Sequence, residues 1–305
     1  MPWLTGSLLT PAAYTVPQGH VDLEPYLYII NTIGNYDSDW KPHHTETFTT
    51  ISSQVLFSLG LTSFMDIQTF PQVVYNHTSN QSGIRFADLP IQINFRLCHE
   101  RLGTWVPDVK LGILEVFPTG KFDKLNSQKK GTDASGEGSY NTVFGIFISK
   151  RIILTDTHHL RTQFLFSYSV PSPVNVKGVN IYGGVNETRG RIYPAHEFVT
   201  SIGIEYSPVL HWAFALDIVG VTGSKTKFSG KSGTASSTSM GSQGNVFPFE
   251  IISVGRKSFE QISLAPAIEY NFSQTMGLIA GFWFSILGRN CPQFVNGVVA
   301  LNLYF

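Results

Sequence analysis

Charged side chains in this 305-residue chain recur singly within apolar stretches, where they alternate with aliphatic and aromatic residues. Carboxylates and guanidinium groups spaced in this way line a polar interior and select small solutes that pass through it. On the phase of the alternation the inward positions are Glu24, Asp66, Asp88, Arg96, Arg161, Glu197, Glu205, Asp217 and Glu269. Because acids outnumber bases, we expect a mildly cation-preferring constriction. Its members would be Asp88, Glu197, Asp217, Arg96 and Arg161. The other interpretation is a salt-bridged set of side chains that fills and stiffens a narrow interior.

Three further patterns resemble chemical motifs but lack the required context. The histidine pairs at 43–44 and 158–159 are adjacent in sequence, so on a strand their side chains point to opposite faces and neither pair chelates a metal alone. The stretch 230–232 reads Gly-Lys-Ser like the end of a phosphate-binding loop, but position 225 is Lys rather than Gly. No Gly-x-Ser-x-Gly motif is present. We therefore expect no metal, no cofactor and no enzymatic activity.

The composition excludes several classes of protein. Lys and Arg number 21 and Asp and Glu also number 21, and charged residues are 14% of the chain, against roughly 25% in soluble domains. A neutral chain is a poor nucleic-acid binder, because neutralising phosphates needs a basic surface. With 13% aromatic residues it is too apolar to be disordered. A helical membrane span needs about 20 apolar residues, and the best candidate, 276–288, is shorter.

The elements that would position the inward charges are long strands. In the segment 209–223, for example, Trp212, Phe214 and Leu216 alternate with smaller or polar residues, which is the pattern of a strand with two different faces. Globular strands usually have about 5–6 residues, whereas membrane-spanning strands need about 9–11. About twelve such segments occur, many of them a dozen residues long: 20–32, 45–59, 63–76, 84–98, 107–117, 139–150, 158–170, 190–206, 209–223, 258–272, 275–288 and 292–305.

The connections between these segments alternate in length. Short turns are expected at 59–62, 99–106, 151–157, 207–208 and 273–274, and longer loops at 33–44, 77–83, 118–138, 171–189 and 224–257. Outer-membrane barrels have short periplasmic turns and longer outer loops. The sequence therefore predicts an all-β, antiparallel up-and-down transmembrane barrel over residues 20–305, with both termini periplasmic. Alternation alone does not exclude a soluble barrel with the opposite polarity, but the low charge, strand length and loop asymmetry favour the membrane form.

Five prolines fall inside the expected strands, at positions 25, 71, 90, 194 and 266. Because proline removes a ladder hydrogen bond, we expect bulges or strand ends there. Residues 1–19 are expected either to form a periplasmic segment or to fold into the lumen as a hatch. No signal peptide is visible, so if the protein is exported, its signal has been removed or lies upstream. Cys98 and Cys291 fall at opposite rims on this topology, so we expect them not to pair.

Three stretches carry a resemblance to known barrels. The C-terminal positions Val299, Leu301, Leu303 and Phe305 alternate in the manner of the signal that the barrel-assembly machinery recognises in outer-membrane proteins. The stretches 82–91 (SGIRFADLPI) and 114–121 (LEVFPTGK) are similar to strand-entry and strand-end motifs of the outer-membrane family named after the MetA pathway of phenol degradation. Arg85 and Ala87 stand where the first motif has small residues or glycine. The resemblance implies an outer-membrane channel or transporter for aromatic or other hydrophobic compounds.

Two functions follow as alternatives. The first is a passive or gated channel for small-molecule solutes, with outer-membrane lipid and the assembly machinery as its other partners. The second is an adhesin or virulence-associated barrel whose long outer loops bind a partner while the lumen is closed.

Overall fold

The computed structural model describes residues 6–235, 250–251 and 254–305. Among these, one short 3-10 turn occurs at Ser127–Lys129, and no helix is long and apolar enough to cross a membrane. The strands are β1 (Val21–Tyr36), β2 (Pro42–Gly60), β3 (Met65–Thr69), β4 (Gln72–Thr78), β5 (Gln81–Phe86), β6 (Leu89–Cys98), β7 (Asp108–Phe117), β8 (Asn141–Ile153), β9 (His159–Pro171), β10 (Val174–Lys177), β11 (Arg189–Tyr193), β12 (Glu197–Val209), β13 (Trp212–Gly223), β14 (Lys227–Lys231), β15 (Thr234–Ala235), β16 (Glu250–Ile251), β17 (Phe259–Asn271), β18 (Met276–Arg289) and β19 (Pro292–Tyr304).

Fourteen of these strands form one antiparallel sheet that closes on itself, since β1 pairs with both β2 and β19. The strands β3 and β4 both pair with β2, one after the other, and together count as one strand of the wall. In the same way β6 and β5 follow one another along β3 and β4. The sheet is therefore a closed barrel of twelve strands, which confirms the expected fold class.

The two faces of the wall differ in polarity as the alternation predicted. Large apolar side chains point outward, and Phe214 is 52% exposed on that face. Polar side chains point inward and are buried. Outward residues include Leu27, Ile93, Ile113, Phe144, Ile202, Leu216 and Val299, and inward residues include Ser52, Asp66, Asn94, Gln163, Ser201 and Asp217. An apolar exterior around a polar interior is the arrangement of a membrane barrel, and the reverse of a soluble one.

The prolines interrupt the wall or end its strands, as expected. The pairing of β1 with β19 omits Glu24 and Pro25, and the pairing of β17 with β18 omits the positions 265–266. Pro71 separates β3 from β4, and Pro90 is the second residue of β6. Pro194 lies between β11 and β12. The expected strand 190–206 was therefore wrong in its first residues, because 190–193 belong to a loop strand and only 197 onward joins the barrel.

Two of the expected long loops are absent. The strands β1 and β2 extend into the expected loop 33–44 from both sides and leave only 37–41 as a turn. In the same way, only residues 79–80 separate β4 from β5. Polar residues at these positions still form ladder hydrogen bonds above the apolar belt. The other three loops form an outer cap, defined here as the described residues of 118–140, 172–196 and 224–258. The cap contains the sheet β10–β11–β14 and a small core of Val174, Val176, Tyr182 and Ile192.

A charge on the lipid-facing side of the barrel tests the polarity of the wall. Leu216 points outward near the middle of β13. We expect Leu216→Arg to destabilise the barrel by roughly 2–4 kcal/mol, because an arginine would lie near the bilayer midplane. The matched change Trp212→Arg at the strand end should cost about 0–1 kcal/mol. Urea unfolding in lipid vesicles measures both, and equal costs at the two positions would contradict the membrane orientation.

Candidate functional site

Residues 6–17, referred to below as the luminal segment, run through the interior of the barrel. Asp217, which is buried in the wall, anchors the start of this segment. Its carboxylate accepts hydrogen bonds from Ser7 Oγ at 2.6 Å and from the backbone N–H groups of Leu9 and Thr10 at 3.1 Å each. Thr10 Oγ1 lies 2.5 Å from Ser201 Oγ on β12. One inward carboxylate and one hydroxyl therefore hold the first turn of the segment against the wall.

The rest of the luminal segment is held by other strands. Ser149 Oγ on β8 accepts from the Ala13 N–H at 3.2 Å, and Asp66 Oδ2 on β3 accepts from the Val16 N–H at 2.9 Å. Lys110 Nζ on β7 donates to the Tyr14 carbonyl at 3.2 Å. The segment thus crosses the lumen from β13 to β3 and is bound mainly by polar side chains.

Two wall glycines make room for the luminal segment. A Cβ atom on Gly60 would collide with the Pro17 carbonyl, and one on Gly203 would collide with Ser7 and Asp217. Leu8 is the apolar contact of the segment, since it packs with inward Ala265, Ile279, Val298 and Ala300. The two glycines and the inward alanines leave space for this backbone inside the twelve-stranded barrel.

The structure does not bring the five residues of the expected constriction together. Asp88 lies at the outer end of the barrel, where its carboxylate accepts from the Gly120 N–H at 2.7 Å and the Glu137 N–H at 2.8 Å. Glu197 begins β12 at the same end. Asp217 lies in the middle of β13 and holds the luminal segment. The outer cap therefore covers the end of the lumen at which Asp88 and Glu197 lie.

The two arginines lie at the periplasmic end, where β1 begins and β19 ends. Arg96 donates to the Ser63 carbonyl in the turn between β2 and β3. Arg161 pairs with buried Glu205 across β9 and β12, with Nη1 and Oε2 3.5 Å apart. Glu269 is also buried and lies within hydrogen-bond reach of Glu205. A salt-bridged cluster thus occupies this part of the interior, in agreement with the second interpretation of the inward charges.

The remaining expected site residues lie in separate surroundings. Asp66 is fully buried and accepts from Asn94 Nδ2 at 2.7 Å as well as from the luminal segment. Glu24 accepts from Tyr26 Oη at 2.5 Å and from Asn302 Nδ2 at 2.9 Å. At the C-terminus, Leu301 and Leu303 are half-buried and Phe305 is 67% exposed. Their role as an assembly signal stays a prediction.

Glu137 lies in the outer cap and lines the cavity at the outer end of the barrel. Burial raises the pKa of this carboxyl, Arg256 lowers it in part and Asp88 raises it further. Tyr182 Oη donates to the Glu137 carbonyl at 2.8 Å. The cap is therefore joined to the barrel through the segment 136–139, which lies over the outer opening.

The alternation did not reveal a cavity of about 260 Å³ between the luminal segment and the wall. Aromatic rings line it together with amides and three charged groups. Lys110 Nζ lies 4.7 Å from the centre of the Phe147 ring. Its wall residues include Tyr26, Tyr28, Phe70, Phe147, Gln54, Gln68, Gln92, Asp22, Glu24 and Lys110. The sequence alternation indicated part of this lining, because Tyr26 and Tyr28 share the inward phase of Glu24.

Two more cavities lie along the barrel interior. One of about 540 Å³ lies at the outer end, between residues 131–139 of the outer cap and the wall residues Gln72, Asn76 and Asp88. The other, of about 310 Å³, lies at the periplasmic end beside Tyr14 and Arg161. Within the described part of the chain, no cluster of three His, Cys, Asp or Glu side chains is arranged to hold a metal ion. Both cysteines are free, as expected.

No protein-family model matches the chain, and no curated protein matches its sequence. Among solved structures, the COG4313 outer membrane channel from Pseudomonas putida F1 is similar over 97% of this chain and 100% of that one, with a TM-score of 0.72 at 12% identity. The TodX deltaS2S3 mutant, a monoaromatic hydrocarbon channel, has a TM-score of 0.42 at 12% identity over 99% of this chain and 96% of that one. The NanC porin has 0.41 at 8% identity over 92% and 98%. These two scores are too low for a detailed comparison.

The apolar belt, the polar interior and the shared fold define the class of this protein. It is a twelve-stranded β-barrel of the bacterial outer membrane. The outer-membrane barrel fold that the sequence resemblance implies is confirmed.

Proposed function

We propose that this barrel is a gated channel for small solutes and that the luminal segment is its gate. The observation that carries the proposal is the way in which the segment is held. Its backbone makes two hydrogen bonds to Asp217 and one each to Ser149, Asp66 and Lys110. One cavity lies beside the segment, and two others lie at the periplasmic and outer ends of the barrel interior. A plug with these contacts can leave its seat without unfolding the wall.

The lining of the cavity beside the gate favours small aromatic solutes that carry polar groups. Aromatic rings of the wall would stack on such a solute, while Gln and charged groups would bind its substituents. A cavity of roughly 150 Å³ is enough for benzene, so about 260 Å³ leaves room for substituents. Wide channels have about 16–18 strands, and a barrel of twelve strands suits small solutes.

The solute class is tested by swelling of liposomes that contain the full chain. Phenylalanine and glutamine are suitable probes, because both are neutral overall at pH 7 and neither crosses lipid readily. We expect phenylalanine to enter about threefold faster than glutamine, in line with an aromatic contact of about 0.5–1.5 kcal/mol. Phe147→Leu should remove this preference because it deletes the inward ring and keeps much of the volume.

The matched control is Phe144→Leu on the lipid-facing side of the same strand, which should keep the preference. Equal rates for the two probes in the wild-type protein would overturn the aromatic solute class. A barrel that neither swells liposomes nor conducts ions in a planar bilayer would overturn the channel itself.

A further inference from the structure

One face of the small sheet β10–β11–β14 in the outer cap carries five basic side chains and no acidic one. The opposite face packs on the cap core through Val174, Val176, Ile192 and Phe228. We call the exposed side the basic face, and its positions alternate with those of the core. It consists of Asn175, Lys177, Arg189, Arg191, Tyr193, Lys227, Ser229 and Lys231, all of them exposed. The full chain has no net charge, so this concentration of cations is local.

The register of the sheet places like charges directly across from each other. Arg189 is opposite Lys177 on β10 and opposite Lys231 on β14. Like charges in directly opposed positions destabilise a sheet. None of the three belongs to an ion pair among the residues that the structure describes. The nearby Asp123 carboxylate accepts the backbone N–H of Lys177 at 3.2 Å. An anion from outside the chain would relieve this repulsion.

A cavity of about 340 Å³ opens at one end of this row. Lys124, Lys177 and Arg189 line it together with the Asn186 amide. The backbone of Lys124 is left-handed, with φ of 48°, and its N–H donates to the Lys177 carbonyl at 3.0 Å. The turn thus adds Lys124 as the third cation of the cavity, beside Lys177 and Arg189. Arginine and lysine grouped around a concave site are suited to phosphate.

The position of the sheet indicates where this phosphate would come from. The order β10–β11–β14 repeats the order β9–β12–β13 of the wall, since each small strand adjoins one wall strand in sequence. The gaps are only 172–173, 194–196 and 224–226, so at about 3.3 Å per residue the basic face begins at most roughly 10–13 Å above the wall. The sheet therefore starts close to the polar headgroup layer that borders the hydrocarbon core.

The contacts of the cap show which way the basic face points. The apolar side of the sheet packs on Tyr182. The Tyr182 hydroxyl donates a hydrogen bond to the Glu137 carbonyl, and the Glu137 N–H donates one to Asp88 at the outer end of the lumen. The apolar side therefore faces the barrel axis and the basic face points away from it. That is the side on which the wall below contacts lipid.

We propose that the basic face binds the phosphate groups of the glycolipid headgroups in the outer leaflet. The phosphates contact the row Lys177, Arg189 and Lys231, and one of them enters the cavity beside Lys124. The binding is independent of whether solutes pass through the lumen.

The test compares two triple variants of the full chain in a neutral detergent. The first, Lys177→Gln, Arg189→Gln and Lys231→Gln, removes the row. The second, Lys129→Gln, Lys225→Gln and Lys257→Gln, removes the same charge from the outer cap outside the sheet. The probe is purified lipopolysaccharide with its lipid A and core phosphates, and the measurement is its dissociation constant. A heat-modifiability gel shift checks folding, and Arg189→Gln alone replaces the triple variant if that does not fold.

We expect the row variant to bind the phosphorylated probe at least tenfold more weakly and the control variant to change by less than twofold. Added salt should weaken wild-type binding, because exposed charges are screened. The same glycolipid without its phosphates should bind the wild-type protein as weakly as the row variant binds the intact one. Equal losses in the two variants, or equal binding of the dephosphorylated probe, would overturn the proposal. Tighter binding of a soluble polyphosphate than of the glycolipid would overturn its assignment to the membrane.

Discussion

A disulfide between positions 10 and 201 is expected to close the channel, and its reduction to open it again. The Thr10 and Ser201 hydroxyl oxygens are 2.5 Å apart, so the two β-carbons lie near the range of about 3.5–4.5 Å that a disulfide requires. In a Cys98→Ser, Cys291→Ser background, the double variant Thr10→Cys, Ser201→Cys fixes the luminal segment in its seat. We expect single-channel current in a planar bilayer to fall at least tenfold on oxidation and to recover on reduction.

The single variant Thr10→Cys in the same background is the control, since it changes the seat without forming the link. A second variant acts in the opposite direction. Gly203→Val should push Ser7 and Thr10 away from the wall, because a Cβ atom there collides with them. Its current should therefore rise. Gly297→Val is matched to it, since a Cβ atom at Gly297 meets no neighbour within 4 Å. If the linked and reduced forms conduct equally, solutes pass beside the segment and the gate is elsewhere.

Loss of the Arg161 guanidinium is expected to cost about 3–5 kcal/mol of barrel stability, because it leaves a buried charge without compensation. Glu205 and Glu269 are both fully buried, and Arg161 is paired with Glu205. Urea unfolding of Arg161→Ala in lipid vesicles measures the cost. Adding Glu205→Gln should restore part of the stability, since it removes one of the two carboxylates.

Arg96→Ala is the matched control for this prediction. Arg96 also lies near the periplasmic end, but its guanidinium contacts only a turn carbonyl among the interactions of the described residues. We expect this variant to lose less than about 1 kcal/mol, the range of exposed polar contacts. If both variants unfold at the same urea concentration, the Arg161 cluster does not stabilise the interior.

The alternation of side chains predicts which face of the wall a residue occupies but not its height along the barrel. Asp88 and Arg96 share one phase, and both are inward by that measure. They are eight positions apart in sequence, so at about 3.3 Å per residue their α-carbons are roughly 26 Å apart. The expected constriction required them to meet, and the length of the strand prevents this. The strand phase could be predicted because contact with lipid on one side favours apolar residues at every second position of the wall. The strand count followed from the number of segments with this alternation.

The luminal segment and the outer cap could not be predicted from periodicity. Residues 6–17 have no regular alternation, since they are bound by side chains of distant strands such as Asp217 and Asp66. Pro11 and Pro17 favour an extended chain there but do not indicate whether it is inside or outside the barrel. The cap depends on contacts between loops, for example between Phe122 and Ile181. Such contacts leave no pattern within either loop.

The hydrogen-bonded seam between β1 and β19 determines the order of events during biogenesis. The first strand of the wall ends at Tyr36 and the last begins at Pro292, 256 positions later. Neither strand has a partner on that side until the other is present. Until then both strands expose unpaired N–H and C=O groups, which are prone to pair with other chains. Binding of the luminal segment to Asp217 requires β13 to be in place as well. A nascent chain arrested before Pro292 is thus left as an open, aggregation-prone sheet, and completion of the polypeptide is the step that commits it to a stable cylinder.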